Sequence, residues 1–301
     1  MQGIPFLGEL AGLVSACAWG ATGLLIRAYL SGVPALAINA LRNTIVAAVF
    51  MVIFAVAGSR QPIPPTVFLL LGLSMVSGLA LGDSLYFVAL KRIGVARAMP
   101  ISTAYPVLTS ILAALVLGER LTLVSAVGMV TTLLGVYLVA VPRGMAGAER
   151  QKPVPVRGYW QGVGLAAVAA VCWSGSAIAV KPALALVDVV TASVIRAGMA
   201  SALLWAVAVR RGAVPSAAWF RGRSLGAVTA LGVTSVLSTS LFLESVALAG
   251  AGTAAVLSAT SPVFAIPLSV LFLGERAGWR LGLGTLLSVV GVVLLTLGGG
   301  V

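Results

Sequence analysis

The 301-residue chain contains no histidine and only two cysteines. Without imidazole, a histidine-built zinc site and any Ser-His or Cys-His catalytic pair are excluded. Cys17 and Cys172 both sit inside apolar runs, which favours packing as small buried residues over a disulfide framework. No Gly-rich stretch ends in Gly-Lys-Ser/Thr, so the chain has no P-loop with which to hydrolyse a nucleotide. Energy must then come from a gradient or a partner, and no cofactor is predicted. Charge is scarce as well: 9% of residues are Asp, Glu, Lys or Arg, divided into 7 acidic and 19 basic. A water-soluble domain carries roughly a quarter of its residues as charges, so this chain has too few to cover a soluble surface of its length. A soluble enzyme is thereby excluded.

Apolar residues make up 60% of the chain, and its mean hydropathy is +1.13. They are gathered into runs at about 8–29, 34–57, 66–90, 95–117, 121–141, 160–181, 188–209, 224–248, 252–273 and 278–298. Each run is long enough to cross about 30 Å of hydrocarbon as a helix. The first lacks a basic flank and has a full-length counterpart in mid-chain, so it is expected to be retained rather than cleaved as a signal peptide. The most polar stretch, 142–159, carries Arg143, Glu149, Arg150, Lys152 and Arg157 between five runs on either side. Residues 1–141 and 160–301 are therefore read as two five-helix units joined by a polar linker. The net charge of +12 is scattered between the runs rather than gathered in one block, which points to the membrane interface and not to nucleic acid.

The two units repeat one another. Adding 154 carries Gly8 to Gly162, Trp19 to Trp173, Arg27 to Lys181 and Arg42 to Arg196. Adding 156 carries Ser84-Leu85-Tyr86 to Ser240-Leu241-Phe242, Pro106-Val107 to Pro262-Val263, and Leu117-Gly118-Glu119-Arg120 to Leu273-Gly274-Glu275-Arg276. A four-residue identity at the end of the fourth run of both units goes beyond shared apolar composition. With an odd number of spans in each unit, the second must enter the membrane from the opposite side to the first. The predicted fold is thus all-α and integral to the membrane, with ten transmembrane helices in two inverted five-helix repeats. This is a recurring plan of secondary transporters, whose substrate site lies near the midplane between the repeats.

The sequence resembles the EamA family of the drug/metabolite transporter superfamily. The resemblance rests on Ala18-Trp19-Gly20 and Cys172-Trp173-Ser174, on Leu41-Arg42 and Ile195-Arg196, and on Ser261-Pro262-Val263-Phe264 followed by Leu273-Gly274-Glu275-Arg276. A weaker Tyr105-Pro106-Val107-Leu108 precedes Leu117-Gly118-Glu119-Arg120. It implies export of small metabolites, with hydrophobic and aromatic amino acids as a plausible substrate group, by a monomer in a bacterial inner membrane. Many relatives carry Glu before the Pro-Val-Phe of the ninth helix, where this chain has Ser261, so no coupling role attached to that Glu carries over. Two arguments disagree on sidedness. Of the 19 Lys and Arg, Arg42 and Arg196 lie within runs, Arg60, Arg120 and Lys181 lie on one side, and the remaining 14 lie on the other. The positive-inside rule then puts both termini outside, whereas the resemblance implies both termini in the cytoplasm.

Polar residues inside the runs are the candidates for function, because an ionisable group at the bilayer centre costs about 2.5–3.5 kcal/mol on insertion scales. Asp83 lies deep in the third run, and Leu79, Asp83, Tyr86 and Leu90 follow the 4-3-4 spacing of one helical face. Such a face can line a cavity for an amphipathic zwitterion, Asp83 meeting its ammonium or carrying a proton. The alternative is an Asp83 engaged by a neighbouring helix or an arginine. Arg42 and Arg196, two turns into the second helix of each unit, are read as structural charges that steady the interface or snorkel to headgroups from opposite sides of the membrane. Pro100, Pro106, Pro262 and Pro267 interrupt the fourth and ninth runs and are read as hinges. Around them, Ser102, Tyr105, Ser258 and Ser261 offer neutral hydrogen-bond partners. Trp19 and Trp173 lie halfway along their runs, where rings can flank an aromatic or cationic substrate. Thr239 stands where Asp83 stands in the other unit. No metal or catalytic group is assigned, and an enzyme is not expected. An organic-cation or drug exporter using Asp83 as countercharge, and a membrane interaction protein without transport, are the alternative readings.

Overall fold

In hydrocarbon an exposed backbone must satisfy its own N–H and C=O groups, and a chain built of apolar runs can do so as helices. The computed structural model describes residues 7–30, 32–57, 62–117, 122–140, 156–214, 222–249, 251–275 and 278–298, and every regular element among them is helical. In order these are α1 (Leu7–Tyr29), α2 (Ala35–Ala57), α3 (Pro65–Ser74), a π-helical stretch (Met75–Gly82), α4 (Asp83–Ile93), α5 (Val95–Ser102), α6 (Tyr105–Leu117) and α7 (Leu123–Ala140). There follow α8 (Val156–Leu184), α9 (Val189–Arg210), α10 (Gly222–Ala249), α11 (Ala251–Ala259), α12 (Ser261–Leu273) and α13 (Trp279–Leu297).

Among the described residues, eight helical segments are long and apolar enough to cross a membrane. Of the ten predicted runs, 95–117 and 278–298 stand outside that count. The first is divided between α5 and α6, and the second forms α13, whose Trp279–Leu294 segment is shorter. The predicted linker lies outside the described residues as far as 155, and Val156 already opens α8. Gly118, Glu119, Arg120 and Arg276 also lie outside the described residues.

The predicted proline interruptions need correcting in position. Helix α5 runs continuously through Pro100 and α12 through Pro267. The breaks fall at Thr103–Ala104, just before Tyr105-Pro106, and at Thr260, just before Ser261-Pro262. Thr103 (φ −75°, ψ 0°) and Thr260 (φ −78°, ψ −7°) take up the turn. A proline restricts the residue before it and has no N–H for the preceding turn. At Pro106 and Pro262 the cost falls on a helix start, where that donor would be free in any case.

Helices from the two units pack reciprocally. Helix α1 lies on α10, its equivalent α8 lies on the α3–π–α4 segment that corresponds to α10, α2 lies on α9, and α7 on α13. Glycine sets the closest approach. A Cβ on Gly135 of α7 would lie 2.4 Å from both Gly284 O and Ser288 N of α13, and one on Gly291 would lie 2.4 Å from Thr132 N. Backbone-to-backbone contact of this kind is how small residues drive helix association where lipid removes the hydrophobic gain. The outer surface exposes Val56, Leu115 and Leu271, as a hydrocarbon surround permits and water does not.

The largest buried cluster combines the C-terminal turns of α1 and α4, represented by Ile26, Leu30 and Leu90, with the start of α2 and α5, represented by Ile38, Val95 and Met99. It seals the bundle at the end where α4 turns into α5. Tyr86 and Phe87 belong to the same cluster, and Trp19 and Trp173 pack against it.

Candidate substrate cavity

Between the units lies a cavity of about 140 Å³, walled by α1, α2, the π-helical stretch, α4, α8, α9, α10, α11 and the α5–α6 break. Three aromatic rings line it, Trp19, Tyr105 and Trp173, with Tyr86 packed behind Trp19. Trp19 stacks on Tyr86 at 5.7 Å between centroids and meets Trp173 edge-on at 5.8 Å, and Trp173 meets Tyr105 edge-on at 6.2 Å. Ser174, next to Trp173, donates to Tyr105 O at 2.9 Å, which ties α8 to the first turn of α6.

Asp83, 4% exposed, is fully engaged by protein groups. Its carboxylate pairs with the Arg42 guanidinium of α2 and accepts from Trp173 Nε1 at 2.9 Å. The Arg42 guanidinium also lies 5.3 Å from the Trp19 ring centroid and 5.6 Å from that of Phe87. A charge taken out of water is stable only when paired and hydrogen-bonded, and here the pairing crosses from α2 to α4, with Trp173 supplied by the other unit.

The π-helical stretch brings Asp83 to this position. The Asp83 N–H donates to Gly78 O, five residues back, and such a bulge displaces the register of the side chains that follow. Asn39 of α2 supports it by donating to Leu79 O at 2.5 Å and Ser84 Oγ at 3.0 Å. Two glycines let α8 come close. A Cβ on Gly82 would lie 2.7 Å from Trp173 Cδ1, and one on Gly78 would lie 2.4 Å from Ser176 Oγ.

Of the residues singled out from sequence, Trp19, Asp83, Tyr105, Trp173, Thr239 and Ser258 line the cavity. Tyr86, Ser102 and Ser261 do not. Tyr86 is buried beneath Trp19, Ser102 donates to Ala98 O and Met99 O of its own helix, and Ser261 donates to Ser258 O. Pro100, Pro106 and Pro262 are buried, while Pro267 is exposed. Arg42 and Arg196, expected to steady the interface or to snorkel to headgroups from opposite sides, do not reach outward but stand in the lining of this one cavity, 2% and 8% exposed. An arginine two turns inside a helix can turn inward as easily as outward, and the facing helices decide which.

Sequence reasoning missed Ser176, Gly78 and Glu275. The Ser174-Gly175-Ser176 run after Trp173 was a readable sign for the first. Glu275 entered the sequence reading only as part of the Leu273-Gly274-Glu275-Arg276 motif. It is 7% exposed and accepts from Val95 N at 3.0 Å and Ala96 N at 2.9 Å, so a carboxylate of the second unit caps the first turn of α5. Gly94 (φ +83°) makes room for it, since a Cβ there would lie 2.6 Å from Glu275 Oε1. Arg27 stands 4.0 Å from the same carboxylate.

The chain is similar to known proteins along nearly its whole length. The model of a family described as the EamA-like transporter family matches residues 6–141 and, separately, 160–297. An uncharacterized transporter of Archaeoglobus fulgidus is 25% identical over 295 residues, which cover 96% of this chain and 97% of the relative. A protein of known crystal structure matches with a TM-score of 0.68 at 24% identity, over 96% of both chains, a likeness of fold.

Proposed function

Because the chain belongs to the EamA-like transporter family, we propose that it is a secondary transporter exporting small amphipathic metabolites, chiefly hydrophobic and aromatic amino acids, by alternating access. The observation that carries this reading is the cavity itself: a space of about 140 Å³ between the units, with aromatic rings and buried charges in its lining. A cavity of about 150 Å³ admits benzene, so the space suits one ring-sized side chain. Two five-run units that pack reciprocally support an arrangement of ten spans in two inverted repeats, 1–141 and 160–301, joined through 142–159. The buried plug at the α4–α5 end closes the cavity on that side, and the breaks before Pro106 and Pro262 are the places where the walls would bend. The membrane proposed is a bacterial inner membrane.

The test is uptake into proteoliposomes by purified protein. Radiolabelled phenylalanine, tryptophan or leucine should accumulate with saturable kinetics above protein-free vesicles. Only background leak for every amino acid would remove the substrate assignment.

A further inference from the structure

Arg42 and Arg196 occupy matching places, 154 residues apart, in the second helix of each unit. Both reach the same cavity, yet their surroundings differ. Arg42 has a carboxylate partner in its own unit, Asp83. The residue equivalent to Asp83, 156 positions on, is Thr239. It lines the cavity but carries no charge. Arg196 donates from Nη2 to Ser176 Oγ at 3.2 Å, and its Nε, like that of Arg42, has no hydrogen-bond partner among the described residues. The ion pairs among the described residues are Arg42 with Asp83 and Arg27 with Glu275, so Arg196 is in neither. The wall thus holds two guanidiniums and one carboxylate, and Arg42 and Trp173 already engage that carboxylate.

We propose that Arg196 receives the carboxylate of the substrate, which takes beside Arg196 the place that Asp83 takes beside Arg42. A guanidinium offers a planar fork of donors matched to a carboxylate. Thr239 adds a hydroxyl to the cavity lining, while Ser176 Oγ, which accepts from Arg196, already donates to Ser74 O at 2.9 Å. Trp19, Trp173 and Tyr105 supply an apolar surface for the rest of the molecule. The substrate class is therefore amphipathic monocarboxylates, amino acids among them. The carboxylate is selected and the ammonium is dispensable, because Asp83 is not free to meet it. This deepens the transporter reading and rests on it.

The test uses the full-length protein in detergent and three probes that share a ring: phenylalanine, 3-phenylpropionate without the ammonium, and phenethylamine without the carboxylate. Quenching of Trp19 and Trp173 fluorescence reports binding. Phenylalanine and 3-phenylpropionate should bind within about tenfold of each other, and phenethylamine at least about tenfold more weakly, the scale of a charge-assisted hydrogen bond. Arg196→Gln should lose about tenfold or more for both carboxylates, and Arg196→Lys should recover part of it. Thr239→Asp installs the missing internal carboxylate. It should abolish carboxylate binding while raising the unfolding temperature of the unliganded protein. Phenethylamine binding as tightly as 3-phenylpropionate, wild-type binding of 3-phenylpropionate by Arg196→Gln or Thr239→Asp, or no binding of either carboxylate would each overturn the proposal. The expected binding pattern without flux in proteoliposomes would instead defeat the transport reading and leave the carboxylate site standing.

Discussion

Replacing Asp83 with Leu removes the one carboxylate in the cavity wall, and the structure sets the size of the penalty. Arg42, 2% exposed, would keep its charge without a counter-ion, and removing one partner of a buried pair costs about 3–5 kcal/mol. Trp173 Nε1 would lose its acceptor at 2.9 Å, adding about 1–3 kcal/mol if no water reaches it. The rings of Trp19 and Phe87 beside the Arg42 guanidinium are present in both proteins and cancel in the difference. The expected loss is therefore about 4–8 kcal/mol. Arg42→Met with Asp83→Leu removes both charges and leaves only the indole unpaired, so the double variant should be destabilised by about 1–3 kcal/mol. Unfolding in mixed micelles of dodecylmaltoside and increasing dodecyl sulfate, followed by tryptophan fluorescence, measures all four members of the cycle. A coupling energy below about 0.5 kcal/mol, or a double variant as unstable as the sum of the singles, would refute a stabilising pair at this position.

Two further outcomes follow from groups near helix ends. Glu275→Ala leaves Val95 N and Ala96 N without their acceptor and should cost about 2–4 kcal/mol. Glu275→Gln keeps one acceptor oxygen and should lose about half as much, as read by the same unfolding titration. At the start of α9, burial alone would raise the Asp188 carboxyl, but hydrogen bonds from the Thr191 hydroxyl and N–H outweigh it and hold the group below its usual range. A depressed folded-state value stabilises the protein above the unfolded pKa of about 3.9 and loses that contribution as pH falls through the folded value. Wild type should thus lose more stability than Asp188→Ala between about pH 5 and pH 2, and parallel pH profiles would remove the cap from that role.

The parts of the molecule legible in the sequence are those governed by local rules. Hydropathy over about 20 residues locates the runs, and recurrence at 154 and 156 pairs Arg42 with Arg196 and Asp83 with Thr239. Trp19, Asp83 and Trp173 stood out because polar or aromatic groups at mid-run are costly or unusual there. Proline flagged the right segments but misplaced the breaks, because what matters is whether the missing N–H falls on a helix start, as at Pro106, or inside a helix that tolerates it, as at Pro267. The helical face through Leu79, Asp83, Tyr86 and Leu90 was only partly readable. The π-helical stretch ending at Gly82 shifts its register, so Asp83 meets the cavity while Tyr86 is buried beneath Trp19.

The sequence by itself determined an all-helical membrane chain made of two related units, since composition and periodicity report on each segment's own environment. It also determined family membership, carried by short motifs occurring twice in order. Tertiary structure alone decided the direction of the buried charges: that Arg42 and Arg196 turn into one cavity, that Asp83 is already taken, and that Glu275 caps α5. Those outcomes depend on groups far apart in the chain, from 41 residues for Arg42 against Asp83 to 180 for Val95 against Glu275. The energy of a buried charge depends on what the facing helix presents to it. No local pattern encodes that partner.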